Sequence, residues 1–252
     1  MFKKLLAVFA LVMLLSVPAL AQQKDKVYVN GIDANFPPFA YVGSDGKPTG
    51  FDVEAMDWIA AKMGFKVTHQ PMEWSGIVAS LKARKIDMIS SGLSVTPARG
   101  EQISFSNPYW VVKQVVVVPK NSDLTVEKVL TSGLKIGVQA GTSDAKAMAE
   151  TNGKDGRKYE LVEYANSALA AQDVLNGRIE AAVMNDAPAA AAAAKIAVKV
   201  IGEAGIPSEE FAVGVAKDDP ETLKMVNEGL KLLMADPYWN ELVEKYKPGE
   251  VH

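Results

Sequence analysis

Apolar positions recur along this chain in two alternating rhythms. From Val27 to Ile32 they suit a strand. From Glu54 to Met63 they fall on one helical face through Met56, Ile59 and Met63. Gly64 stands where such a helix stops, in a position that favours glycine. Phe65 to Thr68 predicts a second strand, and Ser75 to Ala83 a second helix with Ile77, Val78 and Leu81 inward. Ile86 to Ile89 predicts a short third strand. Strands and helices alternating at this length indicate a parallel or mixed α/β sheet.

The second half repeats the theme. Leu134 to Val138 reads as a strand followed by a helix from near Thr142. Ala168 to Leu175 reads as a helix that Gly177 breaks, and Ile179 to Val183 as a strand. The stretches Leu81-Lys82-Ala83-Arg84-Lys85-Ile86-Asp87-Met88 and Leu175-Asn176-Gly177-Arg178-Ile179-Glu180-Ala181-Ala182 echo each other. Each is a helix end that turns through basic residues into a strand opening on Ile and an acid. We read two α/β lobes of similar design. Val115 to Val118 is a β-rich apolar run linking the halves, either a buried strand or a crossover between lobes. Glu210 to Val215 has the same character, and two crossovers would hinge the lobes and return the chain to the first. The alanine-rich stretch Ala187 to Ala194 predicts a close-packed helix. Two more helices are expected after Pro220, with Met225, Leu232 and Leu233 inward, and around Trp239, Leu242, Val243 and Tyr246.

The first residues add a destination. Lys3 and Lys4 precede an apolar run from Leu5 to Leu15 that Ala19-Leu20-Ala21 closes, the pattern of a secretory signal peptide cleaved after Ala21. The run is short for a membrane span, and no cysteine is present to carry a lipid anchor. The expected location is a periplasm. About 230 mature residues suffice for one large domain or two small ones. The absence of cysteine, in a compartment that permits disulfides, leaves stability to a packed core. His69 and His252 are far apart and make no metal site. The formal net charge of −3 falls to about −5 without Lys3 and Lys4, which disfavours nucleic acid. No cofactor motif is found.

Candidate chemistry gathers at predicted strand ends, where open α/β sheets bind ligands. Asp33-Ala34-Asn35-Phe36-Pro37-Pro38-Phe39 follows the first strand with an acid and an aromatic ring. Ser90 to Arg99 follows the third and offers the hydroxyls of Ser91 and Ser94, the peptide groups of Gly92 and the guanidinium of Arg99. Arg99 suits bidentate binding of a carboxylate, or else lies in a solvated turn. Gly141-Thr142-Ser143 sits where helix N–H groups hold an anion, or where Thr142 or Ser143 simply caps the helix. Asp186 follows the Val183 strand and suits an ammonium group. A carboxylate partner and an ammonium partner together describe an α-amino acid.

In these motifs the chain resembles the periplasmic amino-acid-binding proteins of polar amino acid ABC importers, solute-binding protein family 3. The motifs run in order: the Asp33 loop, Gly50-Phe51-Asp52-Val53, Ser80-Leu81-Lys82 with Ile86-Asp87, Leu93 to Arg99, Gly141-Thr142, and Gly177-Arg178-Ile179 followed by Asp186. The resemblance implies a type II two-lobed α/β fold with two hinge crossovers and the ligand in the interlobe cleft. Residues 27–114 and 207–249 would form the first lobe, 115–206 the second, after the signal peptide 1–21. It implies Arg99, with Ser94, Thr142 and Ser143, for the ligand carboxylate, and Asp186 with the Gly92 carbonyl for the ammonium. It implies Phe36 and Trp74 as flanking rings, and Asp33, Gln139 and Asp144 around the distal end. Two carboxylates and two rings lean toward arginine, lysine, ornithine or histidine; Gln139 and Gly92 leave glutamine as the alternative. The implied partners are a free L-amino acid and an inner-membrane ABC permease driven by a separate cytoplasmic ATPase, with the chain a monomer and not an enzyme. A dehydratase-like enzyme on the same fold, using Asp33 or Glu73 as acid or base, and a sensory binding module are the rival readings.

Overall fold

The structure is a computed structural model that describes residues 26–247. The signal-peptide assignment of residues 1–21 and His252 lie outside the described residues. The chain opens with β1 (Val27–Ile32) and a small meander of β2 (Asn35–Phe36), β3 (Ala40–Val42) and β4 (Pro48–Thr49). Then come α1 (Phe51–Met63), β5 (Lys66–Pro71), a 3₁₀ turn at Trp74–Gly76, α2 (Ile77–Lys82) and β6 (Met88–Ile89). The short α3 (Pro97–Gly100) and β7 (Ile103–Phe105) lead to β8 (Trp110–Val112). The next segment holds β9 (Gln114–Pro119), α4 (Val126–Thr131), β10 (Leu134–Gln139), α5 (Ser143–Thr151) and β11 (Tyr159–Tyr164). It continues through α6 (Ser167–Leu175), β12 (Ala181–Asn185), α7 (Asp186–Ala193) and β13 (Val198–Glu203). The chain returns through β14 (Glu209–Phe211) to β15 (Gly214–Ala216), α8 (Pro220–Met234) and α9 (Pro237–Tyr246).

Two five-stranded sheets result, ordered β5-β1-β6-β15-β7 and β11-β10-β12-β9-β13. In each, three parallel strands are followed by an antiparallel strand. The sequence echo has a structural counterpart: α2 runs into β6 and α6 into β12, the strands at the centre of each sheet. Both strands start later than their apolar pattern suggests, because Ile86 and Ile179 are buried ahead of the first paired residue.

Val115 to Val118 is a buried strand rather than a crossover. It lies between β12 and β13, and it reads as a continuous apolar run because helices cover both of its faces. Val116 and Val118 pack with Val129, Leu130 and Met148, while Val115 and Val117 pack with Ala170, Ala171 and Ala189. The chain crosses between sheets just before it, at β8, which pairs antiparallel with β14. The Glu210–Val215 run divides accordingly: its start belongs to β14, and its end joins the first sheet as β15.

Close packing sets helix placement in the first lobe. Met56 and Ile59 of α1 and Val226, Leu230 and Leu233 of α8 cover one face of the sheet. Gly229 of α8 lies so near α1 that a Cβ there would sit 2.3 Å from Ile59 Cγ2. Gly229→Ala is therefore expected to destabilise the protein by about 1–3 kcal/mol through overpacking, read as a lower urea midpoint. An unchanged midpoint would mean that the two helices have room to part.

Candidate functional site

The parallel strands of both sheets point their C-terminal ends at one interlobe cleft. Asp33 follows β1, Ser91 and Gly92 follow β6, Gln139 ends β10 and Asn185 ends β12. These residues line a narrow cavity with Phe36, Trp74, Ser94, Arg99, Thr142, Ser143 and Asp144. Towards solvent it meets a wider cleft that shares Trp74, Arg99, Thr142 and Ser143.

The Ser90–Gly92 loop is held from behind by side chains. Asn30, fully buried on β1, accepts the Ser90 N–H at 2.7 Å and donates to the Ser90 carbonyl at 3.2 Å. The Asp33 N–H donates to Ser91 Oγ at 3.0 Å. The Gly92 N–H donates to Asp52 Oδ2 at 2.6 Å, and the Tyr109 hydroxyl donates to the same oxygen at 2.8 Å. Gly92 has φ +60°, and a Cβ there would meet the Phe36 ring at 2.4 Å, so both conformation and space require glycine. Because the peptide is planar, the Ser91 carbonyl points away from Asp52.

Arg99 comes from α3, whose first turn Thr96 caps by accepting the Arg99 N–H at 3.2 Å. Its guanidinium donates to Ser94 O at 3.0 Å and across the cleft to Gly141 O at 3.2 Å, and it lies 5.4 Å from the centre of the Trp74 ring. Burial lowers its proton affinity, while Glu209 and Asp144 raise it. Thr142 has a capping role, since its hydroxyl oxygen accepts the Ala145 N–H at 3.2 Å and its O–H donates to Gln139 O at 2.6 Å. Ser143 donates to Glu209 at 2.6 Å.

Two buried carboxylates, Asp33 and Asp144, line the cavity. Asp33 is buried; it accepts from the Asn35 N–H at 2.9 Å and from Gln139 Nε2, in the opposite lobe, at 2.6 Å. Burial raises its pKa and the Gln139 bond opposes that rise. Asp144, also buried, is pushed up to about 6 by desolvation. Two buried donors in the cavity wall, Trp74 Nε1 and Asn185 Nδ2, have no hydrogen-bond partner among the described residues.

Every site residue expected from the sequence lines this cavity except Asp186. That carboxylate is half-buried at the start of α7, where Oδ1 accepts the Ala187 N–H at 3.0 Å and Lys113 supplies a nearby charge. Its neighbour Asn185 takes the place on the wall, because it is the last residue of β12 and Asp186 already belongs to the helix. Sequence reasoning also passed over Asn30 and Asp52 as supports. Asn30 was visible as an amide inside an apolar strand, and Asp52 only as part of a motif.

The model of the bacterial extracellular solute-binding proteins, family 3, matches residues 28–249 of this chain. The chain belongs to that family. The histidine-binding periplasmic protein of Escherichia coli is 30% identical over 235 residues, covering 88% of each chain. An ancestral arginine-binding protein bound to arginine superposes with a TM-score of 0.80 at 32% identity, over 87% of this chain and 97% of that one. An ancestral arginine-binding protein bound to glutamine gives 0.78 at 30% identity, over 87% and 97%. The fold is the type II periplasmic-binding-protein fold, and the chain is a periplasmic amino-acid-binding component of an ABC importer. The strand Glu209–Phe211 that pairs with β8 belongs to its interlobe connection.

Burial raises Asp144 to about 6 and Asp52 to about 7 from an ordinary 3.8. The folded protein thus holds these protons more tightly than the unfolded chain, and stability falls as pH rises from about 4 through about 7. Thermal unfolding without ligand is expected at a higher midpoint near pH 5 than near pH 8, with Asp144→Asn flattening part of the difference. A midpoint lower near pH 5 in the wild type would contradict this assignment.

Proposed function

We propose that the cleft binds a basic L-amino acid, arginine foremost, and releases it to an ABC permease. The observation that carries this reading is the Asp33 carboxylate, buried with only neutral hydrogen-bond partners among the described residues. A desolvated carboxylate is costly until a cation meets it, and a guanidinium offers two parallel donors to its oxygens.

The remaining groups suit the other end of the ligand. Arg99 takes the α-carboxylate, assisted by Ser94 and by the N-terminal N–H groups of α5 at Thr142 and Ser143. The α-ammonium meets the carbonyl at Gly92, with Asp186 as the countercharge one residue beyond the wall. Phe36 and Trp74 flank the aliphatic stem and favour a cationic tip, while Gln139 and Asp144 complete the distal surroundings. The closing lobes are residues 27–114 with 207–249, and residues 115–206. Bonds that cross the cleft, Arg99 to Gly141 and Gln139 to Asp33, support a closed arrangement of this kind. The partner is an inner-membrane permease with a separate cytoplasmic ATPase, and the chain acts as a monomer.

A second reading, glutamine, has its own support. The Gln139 amide already sits on Asp33 at 2.6 Å, the contact that a ligand carboxamide would make. One of the similar solved proteins is bound to glutamine.

Calorimetric titration with arginine, lysine, ornithine, histidine and glutamine tests both. The expected result is one-to-one binding of a basic amino acid. Asp33→Asn should weaken it by about 1.5–3 kcal/mol, the worth of a hydrogen bond to a charged group, while leaving any glutamine binding less affected. Arg99→Ala should remove binding of every amino acid. Tight glutamine binding with the basic ligands silent would select the second reading, and silence across the panel would sink both.

A further inference from the structure

Around Arg99 the cleft holds more acid than its cation balances. Arg99 is the one cation among the described residues that line the cavity. Asp144 lies on the same wall. Glu209 stands half-buried on β14, in the wider cleft that Arg99 and Ser143 also line. Both acids act on the Arg99 charge, Glu209 the more strongly.

Backbone contacts fix where Glu209 stands. β14 pairs with β8, the Val95 N–H donates to Glu210 O at 2.8 Å, and Ser94 bridges to Phe211. The strand is thus fastened to the segment that carries Ser94. From there the Glu209 side chain reaches Ser143, the first residue of α5, whose hydroxyl donates to it at 2.6 Å.

That bond leaves no hydroxyl hydrogen free at the start of α5. A carboxylate only accepts, so Glu209 uses the single hydrogen of the Ser143 hydroxyl. The Thr142 hydroxyl has two internal acceptors for its own hydrogen, Gln139 O at 2.6 Å and the Asp144 carboxylate. Both hydroxyl oxygens then present lone pairs, which repel an anion. A ligand carboxylate is left with the N–H groups of α5 and with Arg99, and Arg99 already feels the charge of Glu209.

We propose that Glu209 is a positioning residue that competes with the ligand α-carboxylate: it withholds the Ser143 hydroxyl hydrogen and keeps a negative charge near Arg99, so the amino acid binds more weakly than the donors alone would allow. The competition presupposes the placement of the α-carboxylate at Arg99 described above, and it applies to a basic ligand and to glutamine alike. Glu209→Gln isolates it. The amide has the same shape and no charge, and its Nε2 can donate to Ser143 Oγ, which frees the hydroxyl hydrogen for the cavity. A residue that merely braced the two sides of the cleft would weaken binding when altered; here the expected change is a gain.

The first test needs no ligand. In urea unfolding of the mature protein, Glu209→Ala and Ser143→Ala should be non-additive, because each removes the same bond. Additive midpoint shifts overturn the proposal whatever the ligand is. The second test is calorimetric titration at about pH 7.5 with arginine, lysine, ornithine, histidine and glutamine. Glu209→Gln is expected to bind the wild type's amino acid at least about threefold more tightly. Glu209→Asp, which keeps the charge, should show a smaller gain or none. In a Ser143→Ala background the gain from Glu209→Gln should shrink, because only the charge is left to remove. Unchanged or weaker binding by Glu209→Gln, an equal gain from Glu209→Asp, or an undiminished gain without the Ser143 hydroxyl overturns the proposal. Silence of the wild type towards all five amino acids is a failure of the amino-acid reading and takes the competition with it. Binding without the gain is a failure of the competition alone.

Discussion

Burial of ionised and polar groups between two sheets is the constraint on which this molecule turns. An apolar seam between the lobes would be simpler to pack, yet Asp33, Asp144, Gln139 and Asn185 are all buried at the cleft. Each such group must find a partner or pay desolvation. The protein supplies most partners from within: Asn35 and Gln139 for Asp33, the α5 cap for Thr142, backbone carbonyls for Arg99. Of the buried side-chain atoms left unpaired among the described residues, Trp74 Nε1 and Asn185 Nδ2 belong to residues of the cavity wall, while both amide atoms of Gln114 lie away from it on β9.

The repeated sheet design explains how both walls obtain such groups. In each lobe the central parallel strands end at the cleft, so residues just beyond β1, β6, β10 and β12 face one another without long loops. The first lobe then adds a second tier of support. Asn30 and Asp52 are not on the cavity wall, but they fix the backbone that is. Their position behind the loop lets the exposed Asp57 connect to Asn30 through the largely buried His69 by two hydrogen bonds.

Much of this was legible in the sequence, for identifiable reasons. Helices with one apolar face and strands with β-branched runs announced themselves, and the paired helix-to-strand turns gave away the repeated lobe. The residues of the cavity wall followed from strand ends and from motif resemblance. Three things were hidden. Val115–Val118 did not say whether it was strand or crossover, because a strand covered on both faces carries no alternation to separate the cases. The break between β14 and β15 was invisible inside one apolar run, since it is set by which sheet accepts each end. The choice of Asn185 over Asp186 depended on where β12 stops, and a one-residue difference at a strand end lies below what periodicity resolves.

The connection between lobes is also short in a way that limits how they move. Lys113 alone separates β8 from β9, the strand buried on both faces of the second sheet, while Ala212 and Val213 alone separate β14 from β15 in the first. Tyr109 and Val213 are further tied by backbone bonds to Phe211 and Ser106. Each arm of the crossing is therefore welded to a different sheet, with almost no slack in between. Any movement of one sheet against the other has to pass through this single ribbon, which leaves few degrees of freedom between them.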